Sequence, residues 1–98
     1  MSFSDLLTQD QRLVLLRLLE QDTAYTLNDS ILQDLLGRLG HKCSRDCVRT
    51  HIAWLREQGL VTVEDVMGVM VVTLSARGVD VATGAAVVPG VKRPRPKG

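Results

Sequence analysis

His41, Cys43, Cys47 and His51 place two imidazoles and two thiols in one short segment of a 98-residue chain. Donors of these types suit zinc, which takes nitrogen and sulfur ligands in a tetrahedron. Cys43, Cys47 and His51 recur at intervals of four, however, so along a helix they run down one side instead of converging on a point. Packing accounts for them as well, because a small thiol and an imidazole suit the inner face of such a helix. No metal site and no cofactor is expected. The N-terminus, Met1-Ser2-Phe3-Ser4-Asp5, lacks the basic and apolar regions of a secretory signal, so the two thiols are read as reduced and the chain as cytoplasmic. Covalent catalysis finds no support either. There is no glycine-rich phosphate loop followed by lysine and no supported Ser-His-Asp set, and Glu64-Asp65 is a bare acidic pair. No catalytic residue is assigned and the chain is not expected to be an enzyme.

The basic residues offer a different chemistry. The formal net charge is only +1, yet the charges are unevenly spread. Residues 1–40 and 60–91 are acidic on balance. Lys42, Arg45, Arg49 and Arg56 outweigh Asp46 and Glu57 between them, and Lys92, Arg93, Arg95 and Lys97 make the C-terminus strongly basic. Clustered cations are what phosphate binding requires. Arginine reads guanine through two hydrogen bonds, threonine meets a thymine methyl or a phosphate, and a serine at a helix start, with the amides behind it, suits a phosphate. Lys42, Ser44, Arg45, Arg49, Thr50, Lys92, Arg93 and Arg95 are therefore the candidate contacts to double-stranded DNA.

Elements must present these residues. Hydrophobic residues make up 45% of the chain, the only aromatic residues are Phe3, Tyr25 and Trp54, and the length suits one small aliphatic core. No apolar run approaches the roughly 20 residues of a membrane span. Ser4 and Asp5 can cap a first helix to about Glu20, and Tyr25-Thr26-Leu27 suits a short strand. Asn28 caps a second helix, in which Ile31, Leu32, Leu35, Leu36 and Leu39 form one stripe and Asp29 favours the helix dipole, with Gly40 as terminator. His41-Lys42-Cys43 make a tight turn before Ser44 caps a third helix to Gly59. The period then falls to two. Leu60–Val63 and Val69–Leu74 read as a hairpin whose tip is Glu64–Gly68, and Ser75 caps a last short helix ending near Gly84. The core should comprise Leu16, Ile31, Leu35, Leu39, Val48, Ile52, Leu55, Leu60, Val72 and Leu74.

Two helices joined by a short turn and followed by a hairpin make a winged helix-turn-helix, mainly α with a small β-hairpin. Residues 1–84 would form this domain and 85–98 an extended basic tail. Ser44-Arg45-Asp46-Cys47-Val48-Arg49-Thr50-His51-Ile52-Ala53-Trp54-Leu55-Arg56-Glu57-Gln58-Gly59-Leu60-Val61 resembles the recognition helix and wing start of ArsR- and MarR-type regulators, and Thr73-Leu74-Ser75-Ala76-Arg77-Gly78 is similar to the segment after their wing. Their Cys-x-Cys metal motif is absent between Leu32 and Leu36. Tyr25-Thr26-Leu27-Asn28-Asp29-Ser30, with Pro89-Gly90-Val91-Lys92-Arg93-Pro94, resembles small winged-helix proteins of Mu-like phages and prophages.

The motif and the clustered cations lead to the expectation of a DNA-binding protein, most simply a transcriptional regulator, and the second resemblance implies a phage or prophage origin, in the cytoplasm of a bacterial host. The alternative is a module that docks another phage protein during DNA packaging or assembly. The acidic pair at the wing favours the alternative, since it would be repelled by a groove, unless the basic tail supplies the missing cation. The first helix is apolar on several faces, which one small core cannot satisfy, so a homodimer through Leu15, Leu18 and Leu19 is expected.

Overall fold

The computed structural model describes residues 1–96; Lys97, counted above in the basic tail, and Gly98 lie outside them. The elements follow in the order α1 (Phe3–Gln21), β1 (Thr26–Asn28), α2 (Asp29–Arg38), α3 (Arg45–Glu57), β2 (Val61–Val66), β3 (Val69–Leu74) and α4 (Ala76–Thr83). The described residues form an α+β domain of four helices and one three-stranded antiparallel sheet, ordered β1-β3-β2.

Local chemistry sets most boundaries. α1 starts earlier than Ser4: the Ser2 hydroxyl accepts from the Asp5 amide while the Asp5 carboxylate accepts from the Ser2 amide, both at 3.1 Å, a reciprocal capping box. Asn28, Ser44 and Ser75 cap α2, α3 and α4 as their residue types suggest. Gly40 adopts φ +94°, which lets the amides of Gly40 and His41 return to the carbonyls of Gly37 and Leu36 and close the end of α2.

The sheet is larger than a hairpin. β1 pairs with β3 in the register Thr26↔Thr73, Leu27↔Val72 and Asn28↔Val71, and the two threonine hydroxyls bond at 3.0 Å. β2 runs on through Glu64 and Asp65 to Val66, so these carboxylates stand on a strand and not at the tip. The turn itself is Met67-Gly68. Both residues have positive φ, 55° and 84°, a two-residue connection whose twist matches the strands and for which glycine is the unstrained choice.

The core gathers Leu13, Leu15, Leu16 and Leu19 of α1 with Leu32 and Leu36 of α2, Val48, Ile52 and Leu55 of α3, and Leu60, Val61, Val72 and Leu74 around the sheet. The stripe expected on α2 is narrower than the sequence suggests. Ile31 and Leu39 are exposed and Leu35 is half-buried, because only the Leu32–Leu36 row points inward. Part of the all-round apolarity of α1 is satisfied within the chain: α2 and α4 pack on it, and it also touches β3, while Phe3, Leu6 and Leu7 remain exposed. Leu15 and Leu19, expected at a dimer interface, are 1% and 0% exposed in this core. Leu18 is half-buried in a cleft with Val14, Leu35 and Leu39.

Residues 85–91, read from the sequence as the beginning of the tail, carry Val88 and Val91 into the same core. They are fastened by Arg12, whose Nη1 donates to the Gly90 carbonyl at 3.0 Å while its guanidinium lies 3.8 Å from the centre of the Trp54 ring, a cation–π contact. The Lys92 amide then donates to the Gln9 carbonyl. A chain with few aromatic residues uses its one tryptophan as the plate on which the last segment closes.

α4 approaches the start of β2 so closely that a side chain on Gly78 would collide with the Leu60 carbonyl oxygen and the Leu74 side chain. Gly78→Ala is expected to lower unfolding free energy by about 3 kcal/mol in urea titrations. Gly37→Ala, on a helix surface with nothing within 4 Å, is expected to raise it by about 0.5–1 kcal/mol.

Candidate nucleic-acid interface

α3 buries Val48, His51, Ile52 and Leu55 and turns Arg45, Asp46, Thr50 and Ala53 outward. Lys42 and Ser44 are exposed just before it, so five of the eight candidate contacts, Lys42, Ser44, Arg45, Arg49 and Thr50, gather at one helix start. The Ser44 hydroxyl accepts from the Cys47 amide at 3.0 Å. Thr50 donates to the Asp46 carbonyl at 2.8 Å.

The two arginines share a partner that sequence reasoning missed. Asp29, at the first position of α2, has a side chain wholly closed to solvent. Its Oδ2 accepts from Arg49 Nε at 2.8 Å and lies 4.0 Å from Arg45 Nη1. Arg45 Nε also donates to Gln33 Oε1 at 2.9 Å, and Arg49 Nη2 donates to the Gly68 carbonyl at 2.8 Å. Arg49 thus ties together α2, α3 and the hairpin turn. Burial pushes the Asp29 carboxyl upward, but the Arg49 hydrogen bond and the charges of Arg49 and Arg45 outweigh it and hold the group below its ordinary 3.8. The first-turn position of Asp29 explained it as a dipole partner. Nothing in the spacing identified an arginine twenty residues away.

The remaining candidates are elsewhere. Lys92 Nζ lies 3.4 Å from Asp10 Oδ1, whose other oxygen accepts from His41 Nε2 at 2.6 Å. Arg93 and Arg95 are exposed and line a groove with Arg17, Glu20, Ala82 and Gly84, along α1 and the end of α4. The arginines of the basic tail are thus carried beside these two helices.

Cys43 and Cys47 form a disulfide, with Cα atoms 5.5 Å apart, where free thiols were expected. Cys43 lies outside the helix, so its side chain can return to the first turn instead of continuing along one side of α3. His51 is buried and donates from Nε2 to Gln11 Oε1 at 2.8 Å. Burial, and then the nearby charges of Arg12 and His41, hold His51 below its ordinary 6.5.

Fold and charge together define a small α+β domain with a basic helix start braced by a hairpin turn, and no helix among the described residues is long and apolar enough to cross a membrane. The chain is 58% identical over 94 residues to the uncharacterized protein gp26 of Escherichia phage Mu, covering 96% of this chain and 97% of gp26. It belongs to the family of which gp26 is a member. An uncharacterized protein of Haemophilus influenzae is 53% identical over 78 residues, 79% of this chain and 76% of that protein. The link to bacteriophages foreseen in the sequence is therefore real. No protein-family profile and no solved structure matches the chain.

Removing Arg49 strands a buried carboxylate. Arg49→Ala is expected to cost about 2–4 kcal/mol in urea unfolding at neutral pH. Because the Asp29 carboxyl is depressed in the fold, its contribution is present above its ordinary value of 3.8 and is lost as pH falls through the lower folded value. Asp29→Asn should flatten that part of the acid dependence in unfolding curves between about pH 6 and pH 2. An unaltered curve would show that the Asp29–Arg49 pair carries none of it.

Proposed function

We propose that this chain is a winged helix-turn-helix DNA-binding protein, acting as a phage or prophage transcriptional regulator. The observation that carries this reading is the single outward face at the start of α3, where Lys42, Ser44, Arg45 and Thr50 are exposed around Arg49. A helix presented by its N-terminal turns fits the major groove, with serine and amides at a phosphate and long donors at base edges. Within this reading Arg45 is the better base reader. Arg49 has its Nε and Nη2 engaged by Asp29 and Gly68, so its first task is to hold the hairpin beside the helix.

The hairpin favours a second reading. Its turn residue Met67 is 98% exposed, flanked by exposed Val66 and Val69, and Glu64 and Asp65 stand exposed on the same arm. An apolar, acidic arm suits a protein surface better than a phosphate backbone, as a module in phage DNA packaging or assembly would require.

Binding of the wild type to random duplex DNA across a salt series separates the two. DNA binding through α3 requires an affinity that falls steeply with salt. Arg45→Ala should then cost about 1–3 kcal/mol of binding to a selected site. Absent or salt-independent binding would overturn the DNA reading and leave the hairpin arm as the functional surface.

A further inference from the structure

The 41–51 segment carries two imidazoles and two thiols, and the fold sorts them. His41 is engaged by Asp10. His51 turns inward, and the donor atoms of Cys43, Cys47 and His51 all lie within 4.8 Å of one another. Two of these donors are the bonded sulfurs of the disulfide; a tetrahedral zinc shell, with metal–sulfur bonds of about 2.3 Å and metal–nitrogen bonds of about 2.0 Å, needs donors some 3.4–3.8 Å apart, so reduction must let the sulfurs separate beside the ring. Geometry along one side of a helix argued against such a cluster. The turn defeats that argument, because Cys43 precedes α3 and folds back over its first turn.

The surroundings suit a cation held by thiolates. Cys47 lies in the first turn of α3, where the helix end favours an anion. His51 donates its Nε2 proton to Gln11, which leaves the lone pair on Nδ1 and fixes the ring, as outer partners of metal-bound histidines do. Cys43 borders a shallow groove of about 540 Å³ with Ser30, Gln33 and Lys42, an open route to solvent.

We propose that, when the disulfide is reduced, Cys43, Cys47 and His51 form a three-donor site for a thiophilic divalent cation of the zinc class, with the fourth position left to solvent. Two small-molecule thiols reduce the disulfide, giving two protein thiols and one small-molecule disulfide. The cation then displaces the two thiol protons to solvent and is neutralised by the two thiolates. The same sulfurs cannot serve both states, so oxidation with loss of two electrons to a disulfide oxidant expels the metal.

The test is an anaerobic titration of the reduced full chain with Co²⁺ and then Zn²⁺. One equivalent of cobalt should give thiolate-to-cobalt charge transfer and tetrahedral visible bands, and zinc should abolish both. Cys43→Ser, at a partly exposed position, should weaken cobalt binding at least about tenfold and bleach part of the charge-transfer band. His51 is buried, so its role is read through Gln11→Leu, with circular dichroism confirming the fold; that variant should weaken binding about 10–100-fold. The disulfide form should show neither band. A reduced wild type without the charge-transfer band, or a Cys43→Ser protein with the wild-type spectrum and affinity, would overturn the site.

Discussion

A carboxylate closed off from water must be answered by positive charge, since stripping it of hydration costs several kcal/mol. Asp29 is that group here, and its answer fixes more than a local bond. Arg49 reaches it from α3 and simultaneously holds the carbonyl of Gly68 in the hairpin turn, while Arg45 approaches from one turn earlier and is steadied by Gln33. Three elements that also share the apolar core are tied at this edge by one charge. The hydrogen bond from Arg49 to Gly68 adds to core packing in fixing the hairpin turn relative to α3, on which any surface formed by the two depends.

A second constraint lies on the opposite side of α3. Trp54 offers a flat face, Arg12 lies over it, and the Gly90 backbone passes close enough to bond the same guanidinium. The apolar residues Val88 and Val91 are thereby carried onto α1, and burial of two valines stabilises the closed segment by roughly 3 kcal/mol. Of the leucines on α1, Leu13, Leu15, Leu16 and Leu19 are covered within the same molecule, while Leu6 and Leu7 stay exposed and Leu18 half-buried. The basic residues beyond this segment consequently run along α1 and α4.

Between these two anchors sits the short stretch from His41 to His51, which must end one helix, cap another and hold its thiols. The three demands are compatible because they use different atoms. Backbone amides close α2, the Ser44 hydroxyl caps α3, and the cysteine side chains meet on the side of His51. Its imidazole is linked to α1 by Gln11.

Much was decided locally and could be read from the chain. Asn28, Ser44 and Ser75 cap their helices because a side-chain oxygen needs only the amides two or three residues ahead. Alternation of valines in 69–74 makes a strand wherever a core covers one face, and the element order follows from such short-range rules. The α2 stripe shows where they stop: five residues had suitable spacing, yet only Leu32 and Leu36 found partners, since burial depends on which helix arrives opposite. β1 is similar, because a three-residue strand exists only once β3 supplies its register. Residues that act over distance were silent in the sequence. Asp29 with Arg49, Gln11 with His51, Asp10 with Lys92 and Trp54 with Gly90 are joined by folding alone, and no periodicity encodes them. The disulfide partners were visible as two cysteines four apart, but their meeting depended on Cys43 lying outside the helix, a matter of how the turn closes. The sequence determined the elements because their causes lie within one turn of the chain; the tertiary structure decided the site because charge, burial and donor geometry are properties of what the fold brings together.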